Sequence, residues 1–239
     1  QNRSKELPTL QTIESRRQLL NADDSGQSED CLYLNITAPS TSKSPSPVYV
    51  WIHGGGFTNI TPLLSWNESE RLTLDGEAVV VTLSYRLGAF GFLGNLNLGI
   101  LDQIAALQWV QNNIAAFGGD PQNVTIFGES AGGCSVVALM AAPSAKGLFS
   151  RAWAMSASLG QLRTSDAALK SQLKFLQVAN VSTVDELKLL TTEQFLKAQD
   201  SMLTDVETWL QGFSPTADGT VLAHDIVSAA ANNPIDLVI

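Results

Sequence analysis

The chain has 239 residues, 44% of them hydrophobic, enough to bury a sizeable core, and only 15% are charged, well under the usual quarter. Its 14 basic and 23 acidic residues give a formal charge of −9, with no Lys/Arg cluster, a balance that repels a phosphate backbone and excludes nucleic acid as a partner. The most apolar runs are strand-length and far short of a membrane span, and the cysteines Cys31 and Cys134 fit neither a disulfide scaffold nor a zinc motif, so no cofactor or metal is expected.

In chain order, residues 1 to 30 are polar, aperiodic and free of aromatic side chains, which predicts a surface loop. Gln1 to Glu6 is polar and there is no starting Met, so a processed or truncated start is expected. Leu32 to Ile36 is a short strand candidate, and Pro39 to Pro47 reads as a turn-rich connection. Val48 to Ile52 and Ala78 to Leu83 are unbroken apolar strands of the kind found inside a parallel sheet. A helix follows from about Ile100 to Phe117, with Ile104, Leu107, Val110, Ile114 and Phe117 on one apolar face, and Gly118-Gly119-Asp120-Pro121 stops it.

The strand Val124 to Phe127, an apolar helix through about Met140 and the strand Ala152 to Met155 come next. Helical segments near 166–178, 183–190 and 192–203 follow, and Pro234 to Ile239 reads as the start of another buried parallel strand, cut before its cap. Strands alternating with helices give an α/β class with a mostly parallel sheet. The expected organisation is one domain over 1–239, incomplete at both ends, with a sheet core at 28–156 and a mainly helical insertion or cap at 164–233.

Gly128-Glu129-Ser130-Ala131-Gly132 is a G-x-S-x-G pattern between a predicted strand and a predicted helix. A nucleophilic serine needs that sharp turn to lift its hydroxyl above the sheet, and the helix N-terminus behind it adds positive potential where an oxyanion forms. An inert serine in a glycine-rich turn is the competing reading; the flanking strand and helix favour the nucleophile. Upstream, His53-Gly54-Gly55-Gly56-Phe57 ends a central strand. Glycines there let backbone N–H groups approach a reacting carbonyl, so Gly55, Gly56 and the N–H of Ala131 form a candidate oxyanion hole. A phosphate-cradling loop is the rival, but no Walker lysine follows and the spacing is not G-x-G-x-x-G.

Ser28 to Asn35, Trp51 to Phe57, Tyr85-Arg86 with Gly91-Phe92-Leu93, Leu101-Asp102-Gln103 through Trp109-Val110, Phe117 to Pro121 and Phe127 to Gly133 together resemble the type B carboxylesterase and cholinesterase family of α/β-hydrolases. The likeness is dense over 28–156 and diffuse afterwards. It implies hydrolysis of small-molecule carboxylic esters through a serine acyl-enzyme, with Ser130 as nucleophile and Gly55, Gly56 and Ala131 as oxyanion donors. Glu129 matches an acidic family position beside the nucleophile and is an auxiliary candidate, with a plain helix-start carboxylate as the equal alternative. Tyr85, Arg86 and Asp102 match framework positions. A lipase on the same fold and a non-catalytic adhesion or scaffold protein are the alternatives.

Two departures from the resemblance matter. Family members that close a disulfide loop here pair Cys31 with an upstream cysteine, which this sequence lacks, and the choline-stacking tryptophan is also missing, which disfavours a quaternary ammonium substrate. The other concerns the triad, because His53 and His224 are the only histidines. His53 belongs to the glycine motif. Asp218 and His224 are too close in sequence to follow two different parallel strands, so the catalytic acid and histidine are expected outside this chain, and the chain alone is expected to be inactive. Asn-x-Ser/Thr sequons at Asn59 and Asn67, in a polar stretch, suit N-glycans on a secreted or extracellular protein.

Overall fold

A computed structural model describes residues 28–40, 45–58, 69, 71–73, 77–204 and 212–239. The expectations for the polar N-terminal residues 1–27 and for glycans at Asn59 and Asn67 lie outside the described residues.

A six-stranded sheet organises the fold, in the spatial order β1, β3, β2, β4, β5, β8. Its strands are β1 (Leu34–Thr37), β2 (Ser46–Ile52), β3 (Val79–Leu83), β4 (Gly119–Glu129), β5 (Arg151–Met155) and β8 (Asp236–Val238). All neighbours run parallel except β1, which pairs antiparallel with β3. The strand order reverses between β2 and β4, and in open α/β sheets it is outside the carboxyl ends of strands at such a switch point that ligands bind.

β3 is buried at every position, as its Val-Val-Val-Thr-Leu sequence predicts for a strand covered on both faces. In β2 the Val48, Val50 and Ile52 side chains are fully buried, while Tyr49 and Trp51 on the other face pack against Phe127 of β4. β2 starts earlier than the turn-rich reading of Pro39 to Pro47 allows: Pro47 lies inside it, at a register shift against β4 and before pairing with β3 begins, where a missing N–H breaks no ladder bond.

Two helices cover the sheet. α2 (Leu98–Asn113) buries Ile100, Ile104, Leu107 and Val110, one face at helical spacing, and continues as a 3-10 turn, Ile114–Phe117, that Gly118 ends in the left-handed region. Phe117 is not on the buried face; it is 44% exposed, because the 3-10 turn rotates it off the stripe and onto the edge of Trp109. α3 (Ala131–Met140) is buried along its whole length, which fits its all-round small and apolar sequence.

The later part is mainly helical: α4 (Ser165–Val178), α5 (Val184–Leu187), α6 (Thr192–Leu203) and α7 (Ile226–Ala231). It docks on α1 (Gly88–Phe92) through stacked Phe90 and Phe195 and through the buried Arg163 guanidinium, which donates to the Phe92 carbonyl at 2.7 Å, while β6 (Arg163–Thr164) and β7 (Thr216–Ala217) form a short parallel ladder within it. β8 differs from the buried strand expected near the C-terminus. It pairs with β5 alone and leaves Val238 58% and Ile239 83% exposed, because the sheet carries no further strand beside it among the described residues. No helix among the described residues is long and apolar enough to cross a membrane.

Candidate active site

β4 delivers the chain to the rim of the sheet and α3 takes it away, with Ser130 between them at φ 57° and ψ −117°. A non-glycine residue at positive φ is strained by roughly 1–3 kcal/mol and persists only where its surroundings enforce it. Here they do. The Ser130 N–H donates to the Met155 carbonyl of β5 at 2.9 Å, and its carbonyl accepts from the N–H groups of Cys134 at 2.9 Å and Ser158 at 3.2 Å. The flanking glycines are needed for close approach: a β-carbon on Gly132 would stand 2.1 Å from the Ile52 carbonyl oxygen, and one on Gly128 2.5 Å from the Gly132 carbonyl carbon.

The half-buried Ser130 side chain points to the Ser158 hydroxyl at 3.3 Å. Behind it stands the N-terminus of α3, whose positive end favours developing negative charge. Glu129 is exposed at the last position of β4, and its backbone carbonyl lies against the glycine loop, 2.7 Å from where a β-carbon on Gly54 would sit.

The loop Gly54 to Thr58 leaves the end of β2 beside this turn. Gly55 and Gly56 take φ values of 92° and 63°, and the Thr58 N–H closes the turn on the Gly55 carbonyl at 3.2 Å. Among the described residues none accepts a hydrogen bond from the N–H of Gly55, Gly56 or Ala131. The loop is fixed from below: Gly88 N–H donates to the Phe57 carbonyl at 2.7 Å, and Tyr85 donates its hydroxyl to the His53 carbonyl at 2.8 Å. Arg86 in turn holds Asp102 through two side-chain bonds of 2.8 and 2.7 Å, which ties the segment before α1 to α2.

Neither histidine meets Ser130. His53 is 1% exposed, stacks on Tyr85 at 4.3 Å and donates Nδ1–H to the Gly54 carbonyl at 3.0 Å. Burial, partly offset by that bond, lowers its pKa from 6.5 to about 4, so the ring is neutral. His224 is exposed and lies over Gly219, whose β-carbon would come 2.3 Å from Nε2. Asp218 is occupied locally, accepting the N–H groups of Thr220, Val221 and Leu222 at 2.9–3.0 Å as an Asx-type turn.

Both cysteines are free; Cys134 is buried in α3 and its thiol is pushed up to about 12, while Cys31 is half-buried. Among the described residues no cluster of His, Cys, Asp or Glu is placed to hold a metal ion. The loop after β5 is the part of the site that motif reading misses. It contributes Ser158 to the serine and the Gln161 side chain to the glycine loop, since the Gln161 Nε2 lies 3.8 Å from where a β-carbon on Gly56 would sit. The available signal was topological, as loops after neighbouring parallel strands converge on one rim.

A sharp strand-to-helix turn carrying a serine at positive φ, at the switch point of a mostly parallel sheet and beside a glycine loop, defines an α/β-hydrolase. Within that class, the sequence pattern described as the Carboxylesterase family matches residues 3–239, and the chain belongs to that family. It is 45% identical over 220 residues to para-nitrobenzyl esterase of Bacillus subtilis (strain 168), spanning 86% of this chain and 44% of that protein. It is 40% identical over 227 residues to cocaine esterase of Oryctolagus cuniculus, spanning 89% of this chain and 41% of that protein. The crystal structure of a Geobacillus stearothermophilus carboxylesterase superposes with a TM-score of 0.81 at 40% identity, covering 90% of this chain and 47% of that one. The chain thus spans less than half the length of these relatives.

Proposed function

We propose that the full-length protein hydrolyses small carboxylic esters through an acyl-enzyme on Ser130. The observation that carries this reading is the enforced positive φ of Ser130 at the N-terminus of α3, beside a glycine loop whose Gly55 and Gly56 N–H groups meet no acceptor among the described residues. Ser130 Oγ adds to the ester carbonyl carbon while its proton passes to a base. The carbonyl oxygen becomes an oxyanion held by the N–H groups of Gly55, Gly56 and Ala131, donors of a kind worth about 3 kcal/mol each in the transition state. The tetrahedral intermediate expels the alcohol, which leaves with that proton, and water then attacks the acyl-enzyme to give the carboxylic acid and restore the serine.

Glu129, at the mouth of this turn, adds negative charge that favours a protonated base or a cationic substrate. The base and its orienting acid come from residues outside this chain, since His53 is sealed in a stack and His224 rests on Gly219 in an exposed turn. On this reading the chain by itself does not turn over esters. Family membership supports ester hydrolysis.

Kinetics of two variants of the full-length protein test the assignment. Ser130→Ala should lower kcat for p-nitrophenyl butanoate by roughly 10⁴–10⁶-fold, and His224→Ala should stay close to the parent, both proteins being folded by circular dichroism. Loss of turnover in His224→Ala as complete as in Ser130→Ala would make His224 the base and overturn the placement of the triad.

A further inference from the structure

The turn after β5 sets a second hydroxyl against the nucleophile. Ser158 Oγ lies 3.3 Å from Ser130 Oγ, and both residues are half-buried. The Ser158 hydroxyl has no other hydrogen-bond partner among the described residues, so the fold makes no further use of it. Its backbone is fixed: the Ser158 N–H donates to the Ser130 carbonyl at 3.2 Å, its own carbonyl accepts the Gln161 N–H at 2.9 Å, and the Gln161 carbonyl accepts the Ser214 hydroxyl at 2.6 Å. Ser130 is held from the other side by its N–H bond to the Met155 carbonyl at 2.9 Å. The two serines are thus locked to one another through the backbone, and their hydroxyls meet before any substrate arrives.

Resting on the reading of Ser130 as nucleophile given above, we infer that Ser158 is a further catalytic residue: its hydroxyl donates a hydrogen bond to Ser130 Oγ and assists that oxygen as the leaving group when the acyl-enzyme is hydrolysed. Proton accounting fixes the direction of the bond. Each hydroxyl carries one hydrogen, and in the resting pair either can donate. Ser130 gives its hydrogen to the base during attack, so the Ser158 hydrogen is the one left to lie on Ser130 Oγ. In deacylation, water adds to the acyl carbon and passes a proton to the base. The tetrahedral intermediate then breaks its C–Oγ bond, the electron pair stays on Oγ, and the base returns the proton there. The Ser158 proton never transfers. Its bond counts where the charge on Oγ changes most between ground state and transition state. In the acyl-enzyme Oγ is an ester oxygen, a poor acceptor; as it departs it becomes a partly anionic oxygen, a strong one. In acylation the starting point is a hydroxyl oxygen that already accepts the bond, so the gain is smaller. The 3.3 Å separation fits a contact that is slack at rest and tightens as charge builds.

The test separates the two half-reactions in the full-length protein. Acid quenching under saturating p-nitrophenyl butanoate, followed by intact-protein mass spectrometry, gives the fraction of enzyme acylated in the steady state. Dividing kcat by that fraction gives the deacylation rate, and dividing kcat by the unacylated fraction gives the acylation rate, whichever step limits. Ser158 has a negative φ of −79°, so Ser158→Ala removes the hydroxyl without left-handed strain. Ser158→Gly removes it too, in case the first variant does not fold, and Ser158→Thr keeps a hydroxyl on the same carbon. The expected result is that Ser158→Ala deacylates about tenfold more slowly while acylation falls by no more than about threefold, so that the acylated fraction rises, and that Ser158→Thr returns deacylation most of the way to the parent. An unchanged deacylation rate in Ser158→Ala, an equal fall in both rates, or a folded Ser158→Thr protein as slow as Ser158→Ala overturns the inference while leaving Ser130 chemistry intact. Ester turnover that survives Ser130→Ala, or is absent from the parent, instead overturns the underlying hydrolase reading and this inference with it.

Discussion

Single side chains show how burial decides chemistry at this site. His53 looks like a catalytic histidine by residue type, yet 1% exposure and a stack on Tyr85 leave it neutral and out of reach of Ser130. Its titration has a consequence for stability. In the unfolded chain the imidazole takes up a proton near its ordinary 6.5, and in the folded protein only near 4. Between these values the unfolded state binds more protons, so stability falls as pH drops through this window and the loss levels off below about 4. A His53→Gln protein should therefore lose less stability than the parent between pH 6.5 and 4, read from urea midpoints across that range. Identical slopes would mean that the ring is reached by protons without unfolding. The glycine and serine motifs were legible at this scale because their spacing is dictated by the chemistry. Ser158 and Gln161 were not, since a hydroxyl and an amide in a loop carry no pattern until β5 is known to lie beside β4.

Elements were legible where local rules are strong. α4, α5 and α6 begin where Thr164, Thr183 and Thr191 accept N–H bonds from the third residue on, and Thr191 with Gln194 forms a full capping box; α4 and α6 match the expected spans closely, while α5 is a single turn, Val184–Leu187, inside the expected 183–190. α1 was not legible. Gly-Ala-Phe-Gly-Phe is five residues of poor helix former, and it is held by partners from elsewhere in the chain. Chief among them is Gln199 of α6, whose Oε1 accepts the buried Ala89 N–H at 2.8 Å and sits where a β-carbon on Gly88 would come within 2.0 Å. Gln199→Ala should destabilise the protein by about 1–3 kcal/mol, because it leaves the Ala89 N–H buried without a partner. Gly88→Ala strains a φ of 55° in any background, but part of its effect is the collision with Gln199. In a double-mutant cycle by urea unfolding, Gly88→Ala should therefore cost less in the Gln199→Ala protein than in the parent. Strict additivity would show that the two residues are not in contact.

For the whole molecule, alternation of apolar strands and helices was enough to indicate a mostly parallel sheet, since only buried parallel strands tolerate runs such as those of β2 and β3. Strand order was beyond sequence reading, as was the antiparallel direction of β1, because pairing partners are chosen by long-range packing. β8 was legible as a parallel strand because its residues are apolar, and it pairs with β5 in that direction. That order nevertheless makes the site: β2 brings the glycine loop, β4 the serine and β5 the loop of Ser158 and Gln161, three adjacent strands ending at one rim. The placement of Ser130 as the sole reactive serine is tested most directly by covalent labelling. The full-length protein is treated with a fluorophosphonate probe, digested and mapped by mass spectrometry. A single adduct on Ser130, abolished by Ser130→Ala, is the predicted result; an adduct on another serine, Ser158 included, with Ser130 left unmodified would contradict it.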